Sequence, residues 1–385
     1  MQIQIEKPIF EEALGIVSKG VNARSPLPIL SHVHIETHGD HLRLRATDLD
    51  LDLRLTVPAI VAISGAVCVP CALLREIVGK LPGVPITLTT EDEGRILLTC
   101  GRSKFTVSTL PAEEYPAWQQ RPGEAEINIP QQVFRDMVGH TIKATATSDE
   151  SRAVMTGVLV EIEGDQLVMV ATDGRRLAFA RHALPDGLNQ QETCIVPGRA
   201  MTELARACTD KEGLMDLRLA HERLWATVRN LEVGCRLLCG HFPEYRRVIP
   251  REFLRTCRVG REALMAGLRR ILVMAQERAA PGLVCFDFDG ERVELSSNTP
   301  DVGMGVEEIP VVFEGQPLRI AFNGKYVLDA LGPLGVEEVE FALQDDTRSA
   351  VLRELGGEAF LHVLMPVRLR EVVVEEAEQG EMAGV

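Results

Sequence analysis

Cys68 and Cys71, in VCVPCALLREIV, stand where an apolar run gives way to helical spacing. A helix N-terminus can hold a thiol as its thiolate, so a strand-to-helix Cys-x-x-Cys is the setting for thiol–disulfide chemistry. Cys235 and Cys239 form a second pair, and an even spacing within one strand would put both on the same face. No nearby partner completes a zinc set around them. Asp48 and Asp173, each closing an Ala-Thr-Asp triplet, look on paper like a carboxylate pair for acid–base work. The chain carries no phosphate loop, no HExxH and no GxSxG.

A repeat positions all of these residues. HLRLRATDLDLDLRLTV alternates Leu42, Leu44 and Ala46, slips phase, and resumes at Leu49, Leu51, Leu53, Leu55 and Val57. Alternation marks a half-buried strand and the slip marks a turn at Thr47–Asp48. QLVMVATDGRRLAFAR places Asp173-Gly174, a strong hairpin signal, at the same point. A third copy, RVELSSNTPDVGMGVEEI, turns at Thr299-Pro300-Asp301, with Asn298 in the place of Thr172. VPCALLREIVGKL, VPGRAMTELARAC and FNGKYVLDALGPL then read as a strand end followed by a helix. Three earlier helices open near Phe10, Phe134 and Leu264, and FTVSTLP, CRLLCGHFP and LHVLMP close each copy as strands. The spacing predicts three α+β domains, at 1–120, 127–245 and 246–369, each with two helices on antiparallel sheets, with linkers near 117–126 and 246–257. Residues 370–385 form an acidic tail, expected to be disordered. The repeat also weakens the chemistry. Copy two has Ile195 and Gly198 where copy one has Cys68 and Cys71, so the slot does not require thiols. The two aspartates fall in separate domains as turn residues.

The bulk numbers fit a soluble globular chain: 385 residues, 45% hydrophobic, 25% charged. Nine cysteines, an odd number, do not suit a secreted disulfide framework. MQIQIEKPIF has no apolar core of a signal peptide, and no run approaches the ~18 residues of a membrane span, so the expected location is cytoplasmic. Cofactors and metals are not expected. A net charge of −15 argues on average against nucleic acid, although a local basic stripe could lie within it.

ATDLDL, GRSKFTVSTLPAEEYP, ATDGRRLA, HFPEYRRVIP and a late MPVRL, in this order and spacing, resemble the beta sliding clamps of bacterial DNA polymerase III from residue 1 to about 369. The resemblance implies the DNA clamp fold and a head-to-tail homodimer forming a six-domain ring. Helices would line the hole, duplex DNA would pass through it, and polymerases would be tethered without catalysis. A ring needs only weak, sequence-independent attraction, so inward cations suffice and an acidic exterior repels DNA from the wrong surface.

Inward candidates on the helices are Lys19, Arg75, Lys80, Arg135, Lys143, Arg199, Arg206, Lys211, Arg269, Arg270 and Lys325. The resemblance adds Arg24 and Arg152 in DNA-near loops, with Ala153 and Val154 where the family carries aromatics. It also implies a pocket for a short peptide of polymerases and the clamp loader. On one side stand Met155, Thr172, Gly174, Arg175, Arg176, Leu177 and Pro243. On the other stand Arg247, Val248, Asn323, Tyr326, Val363, Met365, Pro366, Val367, Arg368 and Leu369. By position, Phe105, Val273 and Met274 are expected at the dimer interface. Three features depart from the family: Arg175 where His is frequent, alanine in QERAAPG (276–282) where some members put an aromatic, and the continuation REVVVEEAEQGEMAGV. They motivate a second reading, a specialised clamp copy for repair or inhibitor tolerance. A thiol oxidoreductase using Cys68 and Cys71 is the remote alternative.

Overall fold

The computed structural model describes residues 1–22, 25–91, 94–118, 127–147, 150–184, 191–220, 222–275, 282–300 and 302–368, with backbone only for 150–152 and 220. Arg24, the Arg152 side chain, Leu369, the acidic tail and 276–281 lie outside the described residues. The chain forms two compact units, Met1–Tyr245 and Arg246–Val385.

The first repeat runs β1 (Gln2–Ile5), α1 (Lys7–Val17), β2 (His32–His38), β3 (His41–Thr47), β4 (Leu51–Pro58), β5 (Ile60–Ile63), β6 (Ala66–Pro70), α2 (Cys71–Lys80), β7 (Ile86–Glu91), β8 (Arg95–Cys100), β9 (Ser103–Ser108). The second runs β10 (Ile127–Pro130), α3 (Gln131–Thr141), β11 (Gly157–Glu163), β12 (Gln166–Thr172), β13 (Arg176–Ala183), β14 (Gln191–Pro197), α4 (Gly198–Ala207), β15 (Leu214–Ala220), β16 (Arg223–Val228), β17 (Leu231–Arg236). The third, in the second unit, runs β18 (Arg255–Gly260), α5 (Arg261–Ile271), β19 (Leu283–Asp289), β20 (Arg292–Thr299), β21 (Gly303–Glu314), β22 (Leu318–Asn323), α6 (Gly324–Leu331), β23 (Glu338–Leu343), β24 (Ala350–Glu354), β25 (Phe360–Leu364).

The opening helices each span 11 residues and start three residues before their first apolar anchor. In α1 the buried set is Phe10, Ala13, Leu14 and Val17, one stripe at helical spacing. Phe134, Met137, Val138 and Thr141 repeat it in α3. Within each repeat the two helices pack against each other. Pro70, Pro130 and Pro197 sit at the N-caps of α2, α3 and α4, and the Asn323 side chain caps α6 by accepting from Lys325 N at 3.0 Å. In the second unit the core is aromatic: Phe286 lies 5.5 Å from Phe322 and 6.2 Å from Phe341, ring centre to ring centre.

In the first unit the sheets are ordered β5-β1-β7-β8-β9, β14-β11-β12-β13 and β10-β15-β16-β17-β4-β3-β2-β6. The last joins two repeats: β4 pairs antiparallel with β17, Leu55 opposite Leu231 and Leu51 opposite Cys235. Side chains bolt this seam. Arg54 Nε donates to Glu232 at 2.9 Å, and its guanidinium lies 4.2 Å over Trp118. Trp118 in turn packs 5.5 Å from Trp225. Trp225 rests on Gly234, where a Cβ would fall 2.4 Å from the ring, so only glycine admits it. In the second unit the order is β25-β24-β23-β18-β21-β20-β19-β22, and β21 is long enough to pair with β20 over Gly303–Pro310 and with β18 over Val311–Glu314.

The shared turn repeats atom for atom in the first two copies. Asp48 Oδ1 accepts from Asp50 N (3.1 Å) and Leu51 N (2.8 Å), and Asp173 Oδ1 from Arg175 N (2.9 Å) and Arg176 N (3.0 Å). Thr47 and Thr172 hydroxyls accept from Leu49 N and Gly174 N at 3.0 and 3.1 Å. The conformation needs a left-handed residue. Gly174 takes φ 83°, and Leu49 takes φ 80° in the same place, a strain of about 1–2 kcal/mol for a residue with a Cβ.

Four expectations change. In the third copy Thr299, not Asn298, stands at the strand end, facing Gly303 as Thr172 faces Leu177, because that turn is one residue shorter. Strand β17 stops at Arg236, so CRLLCGHFP is not a strand to its end. Cys239 therefore lies beyond it, exposed, while Cys235 is buried, and the two do not share a face. The linker expected over 246–257 is shorter, since β18 begins at Arg255 to pair with β23. Among the described residues no helix is long and apolar enough to cross a membrane.

Candidate functional site

The thiols are placed against chemistry. Cys68 and Cys71 are buried, and burial pushes them up to about 12 and about 11, away from the thiolate a redox centre needs. Among the described residues no group of three His, Cys, Asp or Glu could hold a metal.

The turn at 172–177 makes a rigid lip. Thr172 Oγ donates to the Arg176 carbonyl at 2.7 Å. Arg176 Nε meets Asp173 Oδ2 at 3.1 Å, and the far end of the guanidinium donates to the Lys143 carbonyl. Arg176 is thus locked to its own turn, whereas Arg175 projects into solvent. Leu177 is buried, and Met155 and Pro243 are half-buried. On the second unit, Met365 and Val248 are exposed at 43% and 38%, with Arg247 and Arg368 exposed and Asn323, Tyr326, Pro366 and Val367 half-buried. Val363 is 1% exposed, so it backs this surface from the core.

The helix cations divide into two groups. Lys80 pairs with Glu76 (2.7 Å), Arg206 with Glu203 (2.6 Å) and Arg270 with Glu307 (2.7 Å). Arg199 is committed to the seam: it donates to the Asp48 carboxylate and the Lys19 carbonyl, tying α4 to the turn of repeat one. Arg75, Arg135 and Arg269 are exposed with no ion pair among the described residues, and Lys325 is exposed on α6; Lys19, Lys143 and Lys211, expected on helices, are exposed but lie beyond the ends of α1, α3 and α4, which stop at Val17, Thr141 and Ala207.

Phe105 is 40% exposed on β9, which among the described residues is the edge strand of its sheet, paired with β8. Val273 is 62% exposed, and Met274, half-buried, packs against the β21 start, 3.0 Å from a Cβ built at Gly305. The sequence did not single out Val302, just before β21, or Met304 and Val306, within the Gly303–Pro310 stretch of β21 whose described partner strand is β20; all three are exposed. A signal existed: in GMGVEEIPVVFE, Met304 and Val306 share parity with Glu308, not with buried Ile309, Val311 and Phe313.

Comparison with known proteins agrees with this architecture. Residues 1–119, 128–244 and 246–368 match the N-terminal, central and C-terminal domains of the DNA polymerase III beta subunit. The beta sliding clamp of Pseudomonas putida is 33% identical over 373 residues, covering 96% of this chain and all of that one. A crystal structure of the Bacillus subtilis DNA polymerase sliding clamp superposes with TM-score 0.91 at 27% identity, over 96% of this chain and all of that one. The Pseudomonas aeruginosa clamp bound to griselimycin does so with TM-score 0.90 at 32% identity and the same coverage. With three domain matches in order and relatives aligned along their whole length, the chain belongs to the DNA polymerase III beta subunit family, the bacterial beta sliding clamps.

Proposed function

We infer that two copies close head to tail into a six-domain ring that encircles duplex DNA and tethers polymerases, in keeping with a family of non-catalytic processivity factors. The observation that carries this is a pair of open sheet edges in one chain. The β9 edge on the first unit offers Phe105, and the β21 edge on the second offers Met304 and Val306, with Val302 just before it. Exposed edges invite pairing, and two unlike edges on one chain suit a heterologous, closing contact. The exposed cations Arg75, Arg135 and Arg269, with Lys19, Lys143 and Lys211, supply weak backbone attraction to DNA; Lys80 and Arg206 share their charge with carboxylates on the same helix. Arg24 and Arg152 belong to this set by resemblance. By resemblance, the lip at Gly174–Leu177 with Pro243 on the first unit, and Met365 with its neighbours on the second, are each assigned to the short peptides of polymerases and the clamp loader.

Placing a carboxylate at Met304 or Phe105 desolvates a charge in the seam. Each change, Met304→Asp or Phe105→Asp, should raise the dimer Kd about a hundredfold, roughly 3 kcal/mol. Sedimentation velocity at micromolar protein reads this directly. A wild-type chain that sediments as a monomer contradicts the ring, and unaltered dimers in both variants contradict the assigned edges.

A further inference from the structure

Cations from separate elements meet at the seam between the first two repeats. Arg199 and Arg206 are seven residues apart on α4 (206 − 199), about two turns, so they share one face of the helix. Arg199 donates to the Lys19 carbonyl, just past the end of α1. Lys19, Arg206 and Arg229 line one cavity of about 290 Å³, alongside Glu12, Glu203 and Leu53. Arg229 stands in the turn between β16 and β17 at φ 55°, a left-handed conformation disfavoured for a residue with a Cβ. The turn is fixed to β4: Thr56 N–H donates to the Asn230 carbonyl at 3.1 Å, and Asn230 Nδ2 to the Thr56 carbonyl at 2.7 Å. Glycine would suit this backbone better, so nothing in the turn itself calls for arginine.

Each guanidinium has a carboxylate partner: Asp48 for Arg199, Glu203 for Arg206 at 2.6 Å, and Asp210 for Arg229 at 3.5 Å. In every pair the cation is the more exposed side chain, at 49% against 9%, 61% against 14% and 54% against 44%. An approaching anion therefore meets positive charge first, with negative charge behind it that reduces the pull. Cations spread over a turn and ~10 Å of helix suit a repeating phosphate backbone, whereas a single phosphate would need them to converge.

We propose that Arg229 joins Arg199 and Arg206 in contacting duplex phosphates, and that Asp48, Glu203 and Asp210 hold this contact weak. The contact rests on the ring assigned above. A ring kept on DNA by topology has no need of tight contacts, and tight contacts would impede its sliding. A carboxylate behind each cation gives contacts that form and release readily.

Anisotropy of a fluorescent ~30-bp linear duplex, titrated with the full chain across a range of salt, tests this. The triple variant Asp48→Asn, Glu203→Gln, Asp210→Asn keeps amide oxygens as acceptors, so the turn at Asp48 is preserved. It should bind at least ~10-fold more tightly at low salt. Its slope of log K against log salt should steepen by about 2–3, near 0.9 per phosphate gained. Asp40→Asn with Glu113→Gln and Glu114→Gln, at exposed carboxylates outside the cluster, changes net charge equally and should stay within about threefold of wild type. Arg229→Gly, which suits the left-handed turn, should take about 0.9 back from the slope in the triple background. A triple variant no tighter than the charge control, or an Arg229→Gly slope equal to its parent's, overturns the proposal. If those chains still sediment as dimers, the ring itself stands.

Discussion

Replacing Asp52 with alanine should destabilise the first unit by about 3–5 kcal/mol, the usual result of removing one partner from a buried ion cluster. Asp52 is 5% exposed on β4 and faces two guanidinium groups. Arg223, from β16 of the second repeat, meets Oδ2 at 2.6 Å, and Arg45, 7% exposed on β3, meets Oδ1 at 3.5 Å. Arg45 is held further by the Pro116 carbonyl at 2.5 Å and lies 5.2 Å from the Trp118 ring. Burial lowers its pKa, and the Asp52 carboxylate works against that shift. Without Asp52, two like charges remain in a low-dielectric seam. The cost comes from the unpaired charges and not from a large net value of the cluster, so Asp52→Leu with Arg45→Met and Arg223→Met should recover most of it. Urea unfolding followed at the tryptophans measures both. An Asp52→Ala protein within about 0.5 kcal/mol of wild type would refute the account, since exposed pairs behave that way.

Acid should destabilise the second repeat well before its carboxylates are protonated. His140, on α3, is 5% exposed, and burial lowers its pKa to about 4, with Asp136 pulling weakly the other way. In the unfolded chain a histidine titrates near ~6.5. The unfolded state therefore binds the extra proton first as pH falls. Stability is full above about pH 6.5 and declines down to about pH 4, by roughly 3 kcal/mol in all, with no further loss from this group below that. His34, also lowered by burial, adds a change of the same sign. His140→Asn should flatten the slope between pH 6.5 and 4. If urea midpoints of wild type and variant fall in parallel across that window, another group is responsible.

The repeat was legible because its signals are periodic. Phe10, Phe134 and Leu264 marked three helices, and ATD marked two turns, since spacing alone encodes a face or a phase slip. What escaped depends on which strand lies next to which. Nothing in DLDLDLRL distinguishes Asp52, buried between two arginines, from Asp50, which is exposed. Arg199 read as a free helix cation, yet the fold brings Asp48 from another repeat beneath it. Val363 read as part of a surface, but strand pairing with Val351 buries it. Leu49 gave no warning, because leucine rarely holds φ 80° without neighbours that enforce it. The turn that looked like half of a catalytic site is shared scaffold, and only its second copy carries Gly174-Arg175-Arg176-Leu177.

We propose that the protein stays on DNA because it surrounds it. Clamps loaded onto a nicked circular duplex, then gel-filtered before and after a single restriction cut, read this most directly. The account predicts retention on the circle in moderate salt and loss of nearly all protein on linearisation. Equal retention on circular and linear DNA would contradict it and point to direct binding in place of a ring.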